Sequence, residues 1–369
     1  MKIRLSKCSI SDAEINAVTK VLQSEYLGMG TTVADFESAI KDYLKTTMEV
    51  VCVNSGTAAL HLSLSALGLK EGDEVLVPSL TYVASFQAIS ATGAMPVSCD
   101  VTSETVFIDV GDAEKKITAN TKAIMPVHYG SSPKGISDVY RLAKKYNLRV
   151  IEDAAQSFGS EYAGKKVGVE GDIVCFSFDG IKNITSGEGG AIISSDLELV
   201  RLVRDSRLLG VEKDTEKRFK GLRSWDFDVV EQGYRYHMSN IMAAIGIAQI
   251  GRVHDFKKRR QGIVASYING IADINEVTLL EFDYEKIMPH IFVVKVQRRD
   301  ELKAFLENNN IECGLQYKPN HMLSKYATSE ALPQSEVLYS QLISLPCHYD
   351  LTVDDVNFIC CKVREFYEG

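Results

Sequence analysis

The sequence predicts an α/β fold built on a mostly parallel, doubly wound sheet, with a smaller α+β domain at its C-terminal end. Three observations predict it. Short β-branched runs alternate with helix-like segments through the first two-thirds of the chain; several of those runs are almost wholly apolar, as strands covered on both faces are; and the pattern changes after about residue 235.

The strand-like runs come in order. EVVCV precedes Asn54, EVLVP ends at Pro78, MPVSCD at Asp100, KAIMPVH at His128, LRVIED at Asp153 and DIVCFSF at Phe178. Between them lie GTAALHLSLSALGL, TYVASFQAISATG and ISDVYRLAKKYN, whose apolar spacing suits helices. Past residue 235 a long helix is expected with Met238, Ile241, Ile245 and Ala248 on one face, running into FKKRRQG. The KKRR run reads as the solvated face of a connecting helix. Strand-like HIFVVKVQ and helix-like DELKAFLENN then give the tail its α+β texture. Residues 1–250 are taken as the large domain and 251–369 as the small one.

Composition narrows the function classes. A chain of 369 residues, 45% hydrophobic, can bury a full core, and a formal net charge of −8 argues against a nucleic-acid surface. The start, MKIRLSKCSISDAEI, turns polar before a signal-peptide core can form, and IMAAIGIAQI is about half the length of a bilayer span. The eight cysteines are scattered without a CxxC pair, which reads as free thiols in a reducing cytoplasm.

The chemistry gathers where strands end. Lys182, in SFDGIKNITSGEGGA, is by itself an ordinary exposed ammonium; at the carboxyl edge of a parallel sheet it is also where a Schiff-base lysine belongs. Asp153 follows LRVI at the same edge. It is either a helix cap or a carboxylate that pairs with the ring nitrogen of pyridoxal 5′-phosphate (PLP) and keeps it protonated. In NSGTAAL a strand gives way to a helix, so Gly56 and Thr57 offer free amides to a phosphate, though the same residues serve plain capping. The Ser177 hydroxyl suits that phosphate too. Tyr82 offers a ring to stack on a flat cofactor or to fill a core. His128 has no partner at metal-ligand spacing and reads as a structural or site-edge residue, and no metal is expected. Glu188, among the GEGG glycines, is a turn residue or a substrate contact.

Taken together, SGTAAL, PSLTYVAS, VIEDAAQSFGSEYAGKKVG, GDIVCFSFDGIKNITSGEGGAI and GYRYHMSNIMAAIG closely resemble the DegT/DnrJ/EryC1/StrS aminotransferases, from YLGMG near residue 26 to YKPNH near residue 317. The resemblance implies fold type I of the PLP-dependent transferases and amination of nucleotide-linked keto sugars. It makes Lys182 and Asp153 the catalytic pair and sets Gln156 beside the cofactor's phenolic oxygen. Tyr82 becomes the stacking ring, and Gly56, Thr57 and Ser177 the phosphate ligands. Asn240 becomes a phosphate contact given to the neighbouring subunit, hence a homodimer with shared sites. Glu188, Tyr317 and His321 are implied as substrate contacts. Relatives with histidine for the lysine act as sugar dehydratases; Lys182 is present here. Asp179 and Gly180 depart from the commonest pattern, which touches substrate contacts more than the cofactor.

The GEGG turn resembles that of enzymes aminating carbon 4, and FDGIKNITSGEGG is similar to enzymes that make 4-amino-4,6-dideoxyglucose on a thymidine diphosphate carrier for lipopolysaccharide O-antigen and related surface polysaccharides. The expected reaction is therefore amino transfer from L-glutamate to dTDP-4-keto-6-deoxy-D-glucose at C4. C3 amination of a dTDP-3-keto sugar, a non-catalytic PLP-binding regulator and a plain nucleotide-binding module are the rival readings.

Overall fold

A computed structural model describes residues 2–368. In chain order its strands are β1 (Glu49–Val53), β2 (Glu74–Pro78), β3 (Met95–Cys99), β4 (Thr121–Ile124), β5 (Arg149–Asp153), β6 (Glu161–Tyr162), β7 (Lys165–Lys166), β8 (Ile173–Ser177), β9 (Gly190–Ser194), β10 (Val277–Leu279), β11 (Phe292–Val296) and β12 (Leu342–Leu345). The central sheet runs β1-β9-β8-β5-β4-β2-β3. Strand β9 is antiparallel to both neighbours and every other pairing in that sheet is parallel. Strands β6 and β7 form a small hairpin, and β10, β11 and β12 form a separate antiparallel sheet.

Every strand run expected from the sequence appears. In the central sheet β9 is the addition, because AII beside four turn residues carries too little alternation to announce itself; the short strands β6, β7, β10 and β12 are additions outside it. The apolar runs follow from burial on both faces. Val50, Cys52, Val174, Phe176 and Ile193 face one core with Phe36, Ile40 and Phe158. Their neighbours Val51, Val53, Ile173, Cys175 and Ile192 face another, under the helices Gly56–Ala66, Val83–Ala91 and Leu197–Ser206. The period of two places alternate side chains on opposite faces, so both must be apolar.

Two expectations after residue 235 need correction. The long helix is two helices, Asn240–Ile250 and Val253–Ile271, broken at Gly251 and Arg252, with Ser239 capping the first through its side chain. Its buried residues are Asn240, Ala243, Ala244, Gly246 and Gln249; of the expected stripe only Met238, just before the helix, is buried, and Ile241, Ile245 and Ala248 are half-buried. Small residues win the buried positions because the helix lies close against Phe36: a Cβ at Gly246 would collide with its ring. The KKRR run is also less solvated than its charge suggests. Arg260 is buried, and its Nη1 donates to the carbonyls of Pro289 (3.1 Å), His290 (3.2 Å) and Cys347 (2.8 Å). Three carbonyl partners offset part of what burying a guanidinium costs, while its Nε stays without a partner.

The small sheet packs on Val253–Ile271 and the C-terminal helix Val353–Glu368 around Tyr267, Phe292, Val294 and Ile359. The N-terminal segment runs along it: Ile3 bridges to Ile311, and the Leu5 carbonyl accepts from the Cys347 amide at 3.1 Å. That path carries Leu5 and Ser6 to the mouth of the cavity described next.

Candidate active site

Strands β1, β2, β5 and β8 end at one edge of the sheet, and the loops that follow them enclose a cavity of about 470 Å³. Ligands in open α/β sheets bind at this edge.

After β1, Ser55 caps the helix Gly56–Ala66 by accepting from the Ala58 amide at 3.0 Å. The amides of Gly56 and Thr57 belong to the first turn and have no carbonyl behind them to bond, so they are free for an anion. The helix start is pressed against its neighbours. A Cβ on Gly56 would stand 2.7 Å from Ser177 Cβ, and one on Gly190 would stand 2.9 Å from the Gly56 nitrogen. Glycine at both positions lets β8 and β9 bring the Ser177 hydroxyl beside those amides.

After β5, Asp153 is buried. Its Oδ2 accepts from Ser85 Oγ at 2.7 Å and its Oδ1 from the Ala155 amide at 3.2 Å. Gln156 accepts from the Gly130 amide at 2.9 Å, and its Nε2 points to the Tyr317 hydroxyl at 3.4 Å. Tyr82 is 55% exposed, so it fills no core; its ring stands in the cavity wall 5.5 Å from that of Tyr317.

After β8 comes Lys182. Its amine makes no hydrogen bond or ion pair with any described residue. Burial lowers its pKa, and the nearby charges of Asp153 and Asp179 only partly oppose that. A partnerless amine whose charged form burial disfavours is what a nucleophilic lysine requires. The loop is rigid because Asn183 Nδ2 donates to the carbonyls of Gln156 (3.1 Å), Phe158 (2.9 Å) and Met288 (2.9 Å). Glu188 lies at the rim, and burial followed by the Asp179 charge pushes its carboxyl above the usual range.

The cavity thus brings together Gly56, Thr57, Tyr82, Asp153, Gln156, Ser177, Lys182, Glu188 and Tyr317. Asn240 and His321 do not reach it. Asn240 begins its helix on an outer depression, with Nδ2 donating to the Tyr26 carbonyl at 2.9 Å and Oδ1 without a partner. His321 is buried between Ser79 Oγ (2.7 Å) and Glu336 Oε1 (3.3 Å), so within this chain it anchors the YKPNH turn and does not face the cavity. His128 is structural: fully buried, with Ser157 Oγ 2.9 Å from Nδ1 and Glu152 Oε2 3.1 Å from Nε2. Sequence reasoning missed Ser85, Asn183, His290 and the Leu5–Ser6 wall. Ser85 and Asn183 lie beside recognised residues, but nothing local announces His290.

A model of the DegT/DnrJ/EryC1/StrS aminotransferase family matches residues 8–364. The chain belongs to that family. GDP-perosamine synthase of Escherichia coli O157:H7 is 38% identical over 369 residues, covering 97% of each chain. PseC of Helicobacter pylori, an aminotransferase involved in pseudoaminic acid biosynthesis, superposes with a TM-score of 0.92 at 26% identity over 100% of both chains. The PLP form of Spr1654 from Streptococcus pneumoniae gives 0.91 at 28% identity over 100% of this chain and 99% of its own.

Family membership makes the chain a PLP-dependent sugar aminotransferase of fold type I. Its residues fit that cofactor. The cavity offers a glycine-floored anion cradle that a Cβ would fill, an amine without a partner, and a carboxylate already oriented by Ser85.

Proposed function

We propose that the chain moves an amino group from L-glutamate to C4 of a nucleotide-linked 4-keto-6-deoxy sugar, with dTDP-4-keto-6-deoxy-D-glucose as the substrate. The observation that carries the chemistry is Lys182: a partly buried amine with no partner of its own, in the same cavity as an oriented Asp153.

In this reading Lys182 would hold PLP through its amine and Asp153 would meet the ring nitrogen. Gly56, Thr57 and Ser177 would take the phosphate, Tyr82 the ring face and Gln156 the phenolic oxygen. When bound, PLP supplies a carbonyl carbon that exchanges amines and a ring that takes up the electron pair of a broken C–H bond. Once released, Lys182 Nζ takes the proton from the α-carbon of glutamate, and its lowered pKa leaves more of it neutral for that task. Asp153, fixed by the hydrogen bond from Ser85, places its carboxyl where it stabilises positive charge set opposite it. Gln156 and Tyr317, linked at 3.4 Å, wall the cavity, and Glu188 at the rim meets the sugar.

C4 rests on the likeness of the GEGG turn; C3 amination of a dTDP-3-keto sugar is the alternative. The relative named for GDP-perosamine favours a second carrier, guanosine diphosphate. A homodimer with shared sites belongs to the same proposal, supported by Asn240, whose orphaned Oδ1 sits away from its own cavity. So do a cytoplasmic setting, a role in lipopolysaccharide O-antigen synthesis, and the division into a large cofactor-binding part to residue 250 and a small part after it.

The test is incubation of the holoenzyme with L-glutamate and a panel of dTDP-, GDP- and UDP-linked 4-keto and 3-keto sugars, followed by NMR of the product. A 4-amino sugar on the thymidine carrier is expected. A 3-amino product, or exclusive use of another carrier, overturns that part of the reading.

A further inference from the structure

His290 is the buried group in the cavity wall that the reaction described above leaves unused. It is 3% exposed, yet it lines the cavity together with Lys182. Its Nδ1 is buried without a partner, and no hydrogen bond to Nε2 is found among the described residues. Nε2 is neither hydrogen-bonded nor among the fully buried unpartnered atoms, so it is the ring nitrogen left open on the cavity side, and a nitrogen so placed in a binding cavity calls for a polar occupant.

Its placement is strongly enforced. The His290 amide donates to Ser131 Oγ at 2.9 Å, and the Pro289 and His290 carbonyls both accept from buried Arg260. The Met288 amide donates to Ser160 Oγ at 2.9 Å, and the Met288 carbonyl accepts from Asn183, the residue next to Lys182. One side-chain amide therefore ties the lysine loop to the histidine loop. Burial, and after it the charge of Lys182, hold the His290 pKa well below the ordinary value, so the ring is neutral and lies close enough to the lysine to feel it.

The charge inventory of the cavity says what the ring meets. Its lining residues include three carboxylates, Asp153, Asp179 and Glu188, and a single cation, Lys182, with no arginine. The lysine is committed to the cofactor, while the amino donor brings an α-carboxylate that must lie one bond from the carbon Lys182 deprotonates. Asp179 and Glu188 repel that carboxylate. A neutral imidazole N–H near Lys182 does not.

We propose that His290 binds the α-carboxylate of the amino donor, donating an imidazole N–H to it and so orienting the α-hydrogen toward Lys182. This rests on the aminotransferase reading and adds a residue to its donor site. His290 would serve the glutamate half of the reaction and leave the sugar half to the rest of the cavity.

The test compares His290→Phe, which keeps the bulk and loses the donor, with His290→Asn, which keeps a donor. Two readings are taken on holoenzyme: calorimetric binding of glutarate, a dicarboxylate with no amine to transfer, and the glutamate concentration that half-converts the cofactor's absorption. His290→Phe is expected to weaken both by tenfold or more while the KM for the keto sugar stays within about twofold; His290→Asn should recover most of the loss. Unchanged glutarate and glutamate constants in His290→Phe overturn the proposal. So does an equal rise in the sugar KM, or a His290→Asn variant as impaired as His290→Phe, since either result marks a purely structural role. Glutarate binding does not depend on turnover. A wild type that aminates no sugar would sink the proposed function while calorimetry still decides the role of His290, and a wild type that fails to bind glutarate sinks the latter.

Discussion

Replacing Gly56 with alanine probes the cofactor cradle through one methyl group. The new Cβ would lie 2.7 Å from Ser177 Cβ, 3.0 Å from its Oγ and 3.3 Å from its Cα. Carbon atoms in good contact stand about 3.5–4.0 Å apart, so the start of the helix and the end of β8 must separate by roughly 1 Å. Backbone cannot swing aside as a side-chain tip can. Overpacking of this kind costs about 1–3 kcal/mol, and the better helix propensity of alanine returns at most about 1 kcal/mol. The apoprotein should therefore lose up to about 3 kcal/mol. Cofactor binding should lose more, because the same shift pulls the Gly56 and Thr57 amides away from Ser177; a loss of about 1.4 kcal/mol is a tenfold weaker dissociation constant. Fluorescence titration of the apoprotein with PLP, alongside thermal melts, measures both. Gly262→Ala is the control: that glycine lies within Val253–Ile271, and nothing stands within 4 Å of where its Cβ would be, so the variant should be stabilised by up to about 1 kcal/mol and bind PLP normally. A Gly56→Ala protein that melts like wild type and binds PLP within twofold of it would refute the close-approach argument.

Two further outcomes follow from the same geometry. Burial lowers the folded-state pKa of Lys182, so its ammonium is less favourable in the folded apoprotein than in the open chain. That penalty is full where both states are protonated, and it fades as pH rises through the folded value toward the unfolded one near about 10.4. Lys182→Met apoprotein should accordingly need more urea to unfold than wild type at pH 7, with the gap closing toward pH 10, while borohydride traps no cofactor on it and transamination is lost; a gap that widens with pH contradicts the assignment of burial as the cause. Ser85→Ala removes the buried 2.7 Å hydrogen bond to Asp153, worth about 1–3 kcal/mol, and should lower kcat by about tenfold or more together with a drop in melting temperature of a few degrees; wild-type kcat would mean that Asp153 needs no second anchor.

The residues legible in the sequence share one property: each sits at a strand end inside a local pattern. Lys182 lies between an apolar run and a glycine turn, Asp153 closes LRVI, and Gly56 and Thr57 open a helix directly after EVVCV. Parallel strands bring such ends to one edge, so a linear pattern becomes a spatial cluster without further information. His321 shows where this stops. Its segment lies far along the chain from the sheet, and only the fold reveals that Ser79 and Glu336 already hold both of its nitrogens. Arg260 fails in the opposite direction: charge in a KKRR run looks solvated until three carbonyls from Pro289, His290 and Cys347 are found to converge on it. Those carbonyls come from loops about thirty and ninety residues away, and no local periodicity encodes such a meeting. The same long-range convergence sets His290 beside Lys182. Asn183, adjacent to the lysine, reaches the Met288 carbonyl and binds the two loops into one unit. The cofactor half of the site can therefore be read from strand ends, because the sheet assembles it. The wall that faces it comes from the small antiparallel sheet and the N-terminal segment, so its chemistry depends on packing between distant parts of the chain.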